Sequence, residues 1–441
     1  MYYRTVAIVA AAGALALSLA ACGSGSGSSN SSPSTQNQDL KGQTIQVAGI
    51  WSGDEQKDFE QVLHAFEQQT GATVQYTSDG DELPTVLQTK IAGKNPPNIA
   101  LLGQPGSIVQ FAKEGALKPL PADVQAAVAA HQSPAWSKFT TVDGKPYGVY
   151  FDASDKSVIW YNTKQFDSVG AQVPRTWDQF VTLSGDLADA GITPMSIGAA
   201  DGWVLTDWFE QIYLQTAGVD DYNKLGAHQI PWTDPTVTKA LQVLQAYFKQ
   251  DRLIAGGHTG ALQTDFPTSV VNTFQDKPKA AMVYEGDFVA TAIQSSTKSK
   301  VGTDAKIFPF PQIGSSAAGV ETGGDAAVAF TDDKATMALM KYLASPEAAS
   351  IFAKTGGFLV ANKDVPLSDY PNDITRTMEQ QLLKAGNNIV FDMSDQAPPT
   401  FGATKGSGEW KDLQDFLANP NDIAGTEKKL EADATKDYTT S

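Results

Sequence analysis

Past residue 40 the hydrophobic positions follow two rhythms in turn, one of period two and one near 3.6. Thr44 to Ile50, TIQVAGI, has the first and predicts a strand. In GDEQKDFEQVLHAFEQQTG, which follows, Phe59, Val62, Leu63 and Phe66 stand at i, i+3, i+4 and i+7, the apolar stripe of a helix, and Gly71 is a natural stop. Ala72 to Thr77, ATVQYT, is strand-like again, so this segment predicts a β-α-β unit with parallel strands and a helix on one face. A second unit follows: a helix over Leu83–Ala92, a turn at Asn95-Pro96-Pro97, a strand over Asn98–Leu102 and a helix from about Gly106 to Glu114, closed by Gly115.

The middle of the chain is richer in aromatics and helical spacing, as in Val237–Gln250, VTKALQVLQAYFKQ. Strand patterns return at Lys279–Tyr284 and Lys306–Phe310, and Asp325–Phe330 leads into a helical stretch over 334–357. The β-α texture of the first part therefore resumes after a long insertion, with no internal repeat at a fixed period. About 400 residues are enough for two globular lobes.

The beginning has a different texture. One positive charge, Arg4, precedes the apolar run VAIVAAAGALALSLAA, Val6 to Ala21, which ends in small residues in the manner of a secretory signal. Its 16 residues fall short of the ~20 that span a bilayer. Leu19-Ala20-Ala21-Cys22 resembles the lipobox of bacterial lipoproteins, which implies cleavage after residue 21, a signal peptide over 1–21 and lipidation of Cys22. Gly23 to Gln38, GSGSGSSNSSPSTQNQ, has no apolar side chain to join a core, so 22–39 is expected to be a flexible tether reaching ~20–25 Å. The chain is thus expected at the cell membrane, facing outward.

Charge narrows the class. With 49 acidic residues against 32 basic ones, the balance argues against a nucleic-acid partner, whose phosphates need basic patches. It leaves room for calcium or a cationic ligand, although acidic surface commonly serves solubility. Cys22 is the only cysteine, so stability comes from packing without disulfides. His64, His131, His228 and His258 are scattered without ligand spacing, no zinc motif, phosphate loop or GxSxG is present, and no metal or cofactor is expected.

Several segments together resemble the extracellular solute-binding protein family 1, the capture subunits of ABC-type carbohydrate importers. They are WSGDEQKDFEQVLHAFEQQTG at 51–71, GKNPPNIALLGQPGSIVQFAKEGALKPL at 93–120 and YGVYFDASDKSVIWYNTKQF at 147–166. AAMVYEGDF at 280–288, GGDAAVAF at 323–330 and MKYLASPEAASIFAKTGGFLVAN at 340–362 complete the set. LPTVLQTKIAG together with GWVLTDWFE is most similar to the α-glucoside-binding branch. The resemblance implies an α/β, two-lobed, periplasmic-binding-protein type II-like fold with an interlobe ligand cleft. Its lobes would be 40–152 plus 309–358 and 153–308 plus 359–441, with crossings near Tyr150–Lys156, Phe308–Phe310 and Gly356–Leu359. A monomer docking on permease subunits is implied as well.

A sugar offers hydroxyls around a ring with apolar CH faces, so its site calls for flat aromatics beside carboxylates or amides. Trp51 and Asp54 follow the first strand, where they either face a cleft or pack and cap the first helix; Asp79 poses the same alternative after the second strand. Trp203, Asp207 and Trp208 lie in the densest aromatic cluster, whose Phe209 and Tyr213 are spaced as core. Gly324 would let backbone approach a ligand and Asp325 would offer a carboxylate, unless the pair is a simple tight turn. By resemblance, Gln104 and Asp155 point into the cleft, with Lys156 the alternative to Asp155. Phe288 takes the place of a stacking aromatic that is often tryptophan in the family, with Glu285 or Asp287 accepting hydroxyl hydrogens. Trp410 resembles a sugar-stacking tryptophan at the start of a late helix, but shares a helical face with Leu413 and Leu417.

The leading reading is a lipid-anchored, non-enzymatic receptor for a sugar, expected to be an α-glucoside or another oligosaccharide, that works by hinge closure. Two other classes compete. One is a surface interaction protein on the same scaffold, and the other an exported glycosidase using two carboxylates roughly 5–10 Å apart.

Overall fold

Strand β1, Thr44–Gly49, runs into a helix over Gly53–Thr70 and the chain returns as β2, Thr73–Ser78. The helix buries Phe59, Val62, Leu63 and Phe66, the stripe that the spacing predicts. It ends at Gly71 with φ of 73°, a left-handed turn that a side chain would strain. The helix over Leu83–Ala92, strand β3 at Ile99–Leu102 and the helix over Pro105–Lys113 complete the second unit. Both β2 and β3 pair with β1 in parallel, as the β-α-β reading requires.

Ten further short strands follow: β4 (Thr141–Val142), β5 (Lys145–Pro146), β6 (Gly148–Tyr150), β7 (Asp152–Asp155), β8 (Val158–Asn162), β9 (Met282–Tyr284), β10 (Ala305–Pro309), β11 (Val320–Gly323), β12 (Ala326–Ala329) and β13 (Leu359–Val360). Ile389–Phe391 is β14. This computed structural model describes residues 39–314 and 319–439. The apolar leader, Cys22 and the tether up to residue 38 lie outside the described residues. Among the described residues, no helix is long and apolar enough to cross a membrane.

Beside the small hairpin sheet β4-β5, three larger sheets organise the described residues. The first has the order β2-β1-β3-β12-β6, the second β10-β8-β9 and the third β13-β7-β11-β14. β3 and β12, IALL and AAVA, are buried at every position, as central strands covered on both faces must be. Single residues or short loops carry the chain between sheets: Phe151 joins β6 to β7, Lys156 and Ser157 join β7 to β8, and Gly324 and Asp325 join β11 to β12. In the third sheet, β7 lies between β13 and β11 and runs antiparallel to both. The expected crossings at Tyr150–Lys156 and Gly356–Leu359 therefore meet side by side. Phe308 and Pro309, by contrast, belong to β10, paired with β8, and the strand that lies against β7 and leads back to the first sheet is β11.

The stretch expected to be helical over 334–357 is two helices, Lys334–Leu343 and Pro346–Ala353. Pro346 has no amide to continue the first, and the Ser345 side chain accepts from Ala348 N to start the second. Asp333 caps the earlier helix by accepting from Ala335 N and Thr336 N, both at 3.0 Å. Asp333→Ala is expected to lower stability by about 1 kcal/mol, read as a shift of the urea midpoint at unchanged slope.

Candidate functional site

The first-helix candidates are accounted for by the fold. Trp51 is 4% exposed and packs among Phe59, Phe352 and Phe358, with ring centroids 5.0, 5.4 and 5.8 Å away, so it is core. Asp54 lies in the first helical turn, half-exposed, paired with Lys57 at 2.5 Å, while Ser52 holds the cap position. An exposed pair of this kind is worth well under about 1 kcal/mol. Asp54→Asn is accordingly expected to leave both the unfolding midpoint and ligand affinity within error of the parent chain. Asp79 makes no side-chain cap and faces Lys90 at 3.7 Å.

A polar interior forms where the third sheet meets the helix over Trp203–Ala217. Lys156, in the β7–β8 connection, places Nζ 3.1 Å from Asp207 Oδ1 and 2.6 Å from Asp392 Oδ2, just past β14. Glu321, at the second position of β11, brings a carboxylate oxygen to within 4.8 Å of those of Asp207 and Asp392. Its two oxygens are buried and have no hydrogen-bond partner. The same holds for Glu285, at the end of β9, and Oδ2 of Asp155 and of Asp207 are likewise unpartnered.

Burial raises most of these carboxyls. Burial pushes Asp155 up to about 7 against the hydrogen bond from Ser157 N, and burial first and neighbouring acids next push Glu285 and Glu321 well above the usual range. Asp207 rises to about 7 because burial outweighs Lys156. Asp392 is the exception: burial works against its charge, yet Lys156 and its hydrogen bonds hold it at about 2. The result is one ammonium in contact with two carboxylates, while Glu285 and Glu321 beside them feel it only at longer range and have no cation of their own.

Two residues expected to contact ligand are committed to backbone instead. Asp287 accepts from Asp155 N at 3.2 Å and Leu359 N at 3.0 Å, tying β7 to β13. Gly324 adopts φ of 147°, and a Cβ there would lie 2.6 Å from the Asp152 carbonyl oxygen, so its freedom serves a chain-to-chain approach. Asp325 donates its N–H to Asp152 and leaves Oδ1 buried and unpartnered, close to Gly103. Gln104 Oε1 and the Tyr150 hydroxyl are unpartnered too.

Aromatics border this interior. Trp203 and Phe288 are half-buried, their ring centroids 5.9 Å apart, and Lys156 Nζ lies 5.9 Å from the Trp203 ring centroid. Trp410 packs its stem against Gly202 so closely that a Cβ there would lie 2.4 Å from Trp410 Cβ, and its Nε1 is buried without an acceptor. Trp208, in contrast, is 1% exposed and packs with Tyr247, Tyr284 and Phe310. It is core, and the hydrophobic face of its helix explains it.

Of the predicted residues, Asp155, Asp207, Glu285, Trp203 and Phe288 gather at one place with Lys156. Glu321 and Asp392 were not foreseen, nor was Glu210, whose carboxylate accepts from Met393 N, Ser394 N and Tyr222 OH. The signal available for Glu321 was an acid inside the strand GVETGG, and for Asp392 an acid directly after the apolar IVF.

The model of the bacterial extracellular solute-binding protein family matches residues 51–350. The chain is 33% identical over 391 residues to the osmoprotective compounds-binding protein GgtB of Synechocystis sp., covering 86% of this chain and 90% of that protein. It is 30% identical over 416 residues to the alpha-glucosides-binding periplasmic protein AglE of Rhizobium meliloti, covering 89% and 88%. Among solved structures, the bacterial solute receptor AcbH superposes with a TM-score of 0.77 at 22% identity over 90% of this chain and 99% of that one. A chitin oligosaccharide binding protein does so with 0.76 at 21% identity, over 90% and 99%. These likenesses bear out the expected α/β periplasmic-binding-protein type II-like fold.

Proposed function

The chain belongs to the bacterial extracellular solute-binding proteins, and we propose on that premise that it captures an α-glucoside or another oligosaccharide for an ABC-type sugar importer. The observation that carries this reading is the set of buried carboxylate oxygens without partners beside Trp203 and Phe288. Buried acceptors left unmade cost about 1–3 kcal/mol each, and sugar hydroxyls are donors that would remove that cost. The aromatic rings supply the apolar surface that CH faces need. AglE, named for α-glucosides, and GgtB, named for osmoprotective compounds, support small glycosides as the class to try first.

Capture needs no covalent step. Segments 40–152 plus 309–358 and 153–308 plus 359–441 act as two lobes that close on the ligand, which favours the closed form by its differential affinity. The helix over Pro105–Lys113 rests against the short helix Met393–Gln396, one segment from each lobe, and this contact belongs to the closed form. Cleavage before Cys22 and lipidation of its thiol hold the receptor, a monomer, at the outer face of the membrane beside its permease.

The test is isothermal titration calorimetry and thermal shift of the purified full chain against mono- and oligosaccharides, with amino acids, polyamines and calcium as controls. A ligand at a hundredfold excess over its dissociation constant is expected to add ~2.7 kcal/mol of stability. Stabilisation by sugars alone is the expected result; stabilisation by none of them overturns the reading.

A further inference from the structure

Resting on the sugar reading, we infer that the ligand also carries a basic nitrogen, as in an amino sugar or an amine-linked glycoside, whose ammonium lies against Glu285 and Glu321. The ground is a mismatch of charge inside the molecule. Lys156 contacts Asp207 and Asp392 at 3.1 and 2.6 Å, and is thereby used up. Glu321 is fully buried, aims an oxygen at that same pair, and has no hydrogen-bond partner on either oxygen. Glu285, 1% exposed, finds no donor for either oxygen, and the neighbouring Asp207 raises its affinity for protons.

A neutral polyol answers such a lining poorly. Each hydroxyl that donates one hydrogen bond also brings lone pairs in need of donors, whereas an ammonium is donor only and cancels charge. Buried carboxyls without a counter-charge hold on to protons, as Glu285 and Glu321 do, and an ammonium against them would take the protons' place. A divalent metal between Asp207, Glu321 and Asp392 would sit against the Lys156 ammonium, which already occupies two of the three carboxylates. That repulsion argues against a double charge and for a single one, placed on the two glutamates and carried by the ligand itself. Trp203, which already has Lys156 5.9 Å from its ring centroid, tolerates positive charge at its face.

The experiment is a calorimetric panel on the full chain at pH 7, in which each neutral mono- or disaccharide is matched with its amine-bearing counterpart and with the N-acetylated form of that amine. At least one amine is expected to bind tenfold or more tighter than both its neutral parent and its N-acetyl form. Glu321→Gln is expected to cut that preference to threefold or less, and Glu285→Gln serves as the second variant should the first not fold. Equal or tighter binding of the neutral parents overturns the inference and leaves the sugar reading intact. Binding of neutral sugars that strengthens tenfold from pH 8 to pH 6, or stoichiometric binding of calcium chloride alone, overturns it in favour of protons or metal as the missing charge. Failure of every member of the panel overturns both.

Discussion

Lys156→Met is expected to lower the stability of the folded chain by about 3–5 kcal/mol, the cost of leaving a buried charge pair half broken. The lysine side chain is 10% exposed, and those of Asp207 and Asp392 are 1% and 2% exposed, so water cannot replace the lost ammonium. The effect has a defined pH dependence. In the parent chain Lys156 holds Asp392 at about 2, below its ordinary value of 3.8, so this pairing stabilises above that ordinary value and is lost as pH falls toward 2. Without the lysine, Asp392 reverts to the upward push of burial and takes a proton more readily. The deficit should therefore be largest near pH 8 and shrink toward pH 5. Urea unfolding at three pH values reads this directly, and a deficit below 1 kcal/mol at pH 8 would contradict the arrangement described. Adding Asp392→Asn to the variant is expected to restore part of the loss, since an amide needs no counter-charge.

Gly106→Val is expected to weaken ligand binding by tenfold or more while leaving a folded protein. A Cβ at Gly106 would lie 1.9 Å from the Ala397 carbonyl oxygen and 2.9 Å from its carbonyl carbon. These are backbone atoms, so no side chain can swing aside, and the helix over Pro105–Lys113 must draw back from Met393–Gln396. If the proposed lobes close by bringing these two helices together, the valine holds them apart and the ligand loses the energy of its second set of contacts. Calorimetry gives the affinity and small-angle scattering the compaction on ligand addition. Unchanged affinity together with unchanged compaction would show that this contact is not part of closure.

The parts of the fold that sequence made legible are those whose pattern is local. Phe59, Val62, Leu63 and Phe66 declare a helix face by spacing alone, and Gly71 declares its end. Strand β7, Asp152–Asp155, declares nothing: DASD has no strand pattern, and its conformation is imposed by β11 and β13, which come from far along the chain. The site was legible in the same uneven way. Aromatic residues beside acids mark Trp203 and Phe288, which are half-buried, but mark the buried Trp51 and Trp208 equally, because whether an aromatic ring lies in a core or at a boundary depends on what the fold lays over it. Lys156, Asp207, Glu321 and Asp392 stand tens of residues or more apart and share no motif. Only the pairing of β7, β11 and β14 in one sheet brings three of their segments together.

The Asp287 carboxylate, which accepts one amide from β7 and one from β13, has a mechanical meaning. Three separate connections between two bodies would each bend at its own point, and the bodies could wobble, shear or twist in many ways. Laced edge to edge and pinned across by a side chain, these strands would share their torsion and serve the proposed lobes as an axle. Closure of the proposed lobes would then be rotation about a single line, and a small molecule held by both at a distance from that line would gain leverage over the whole.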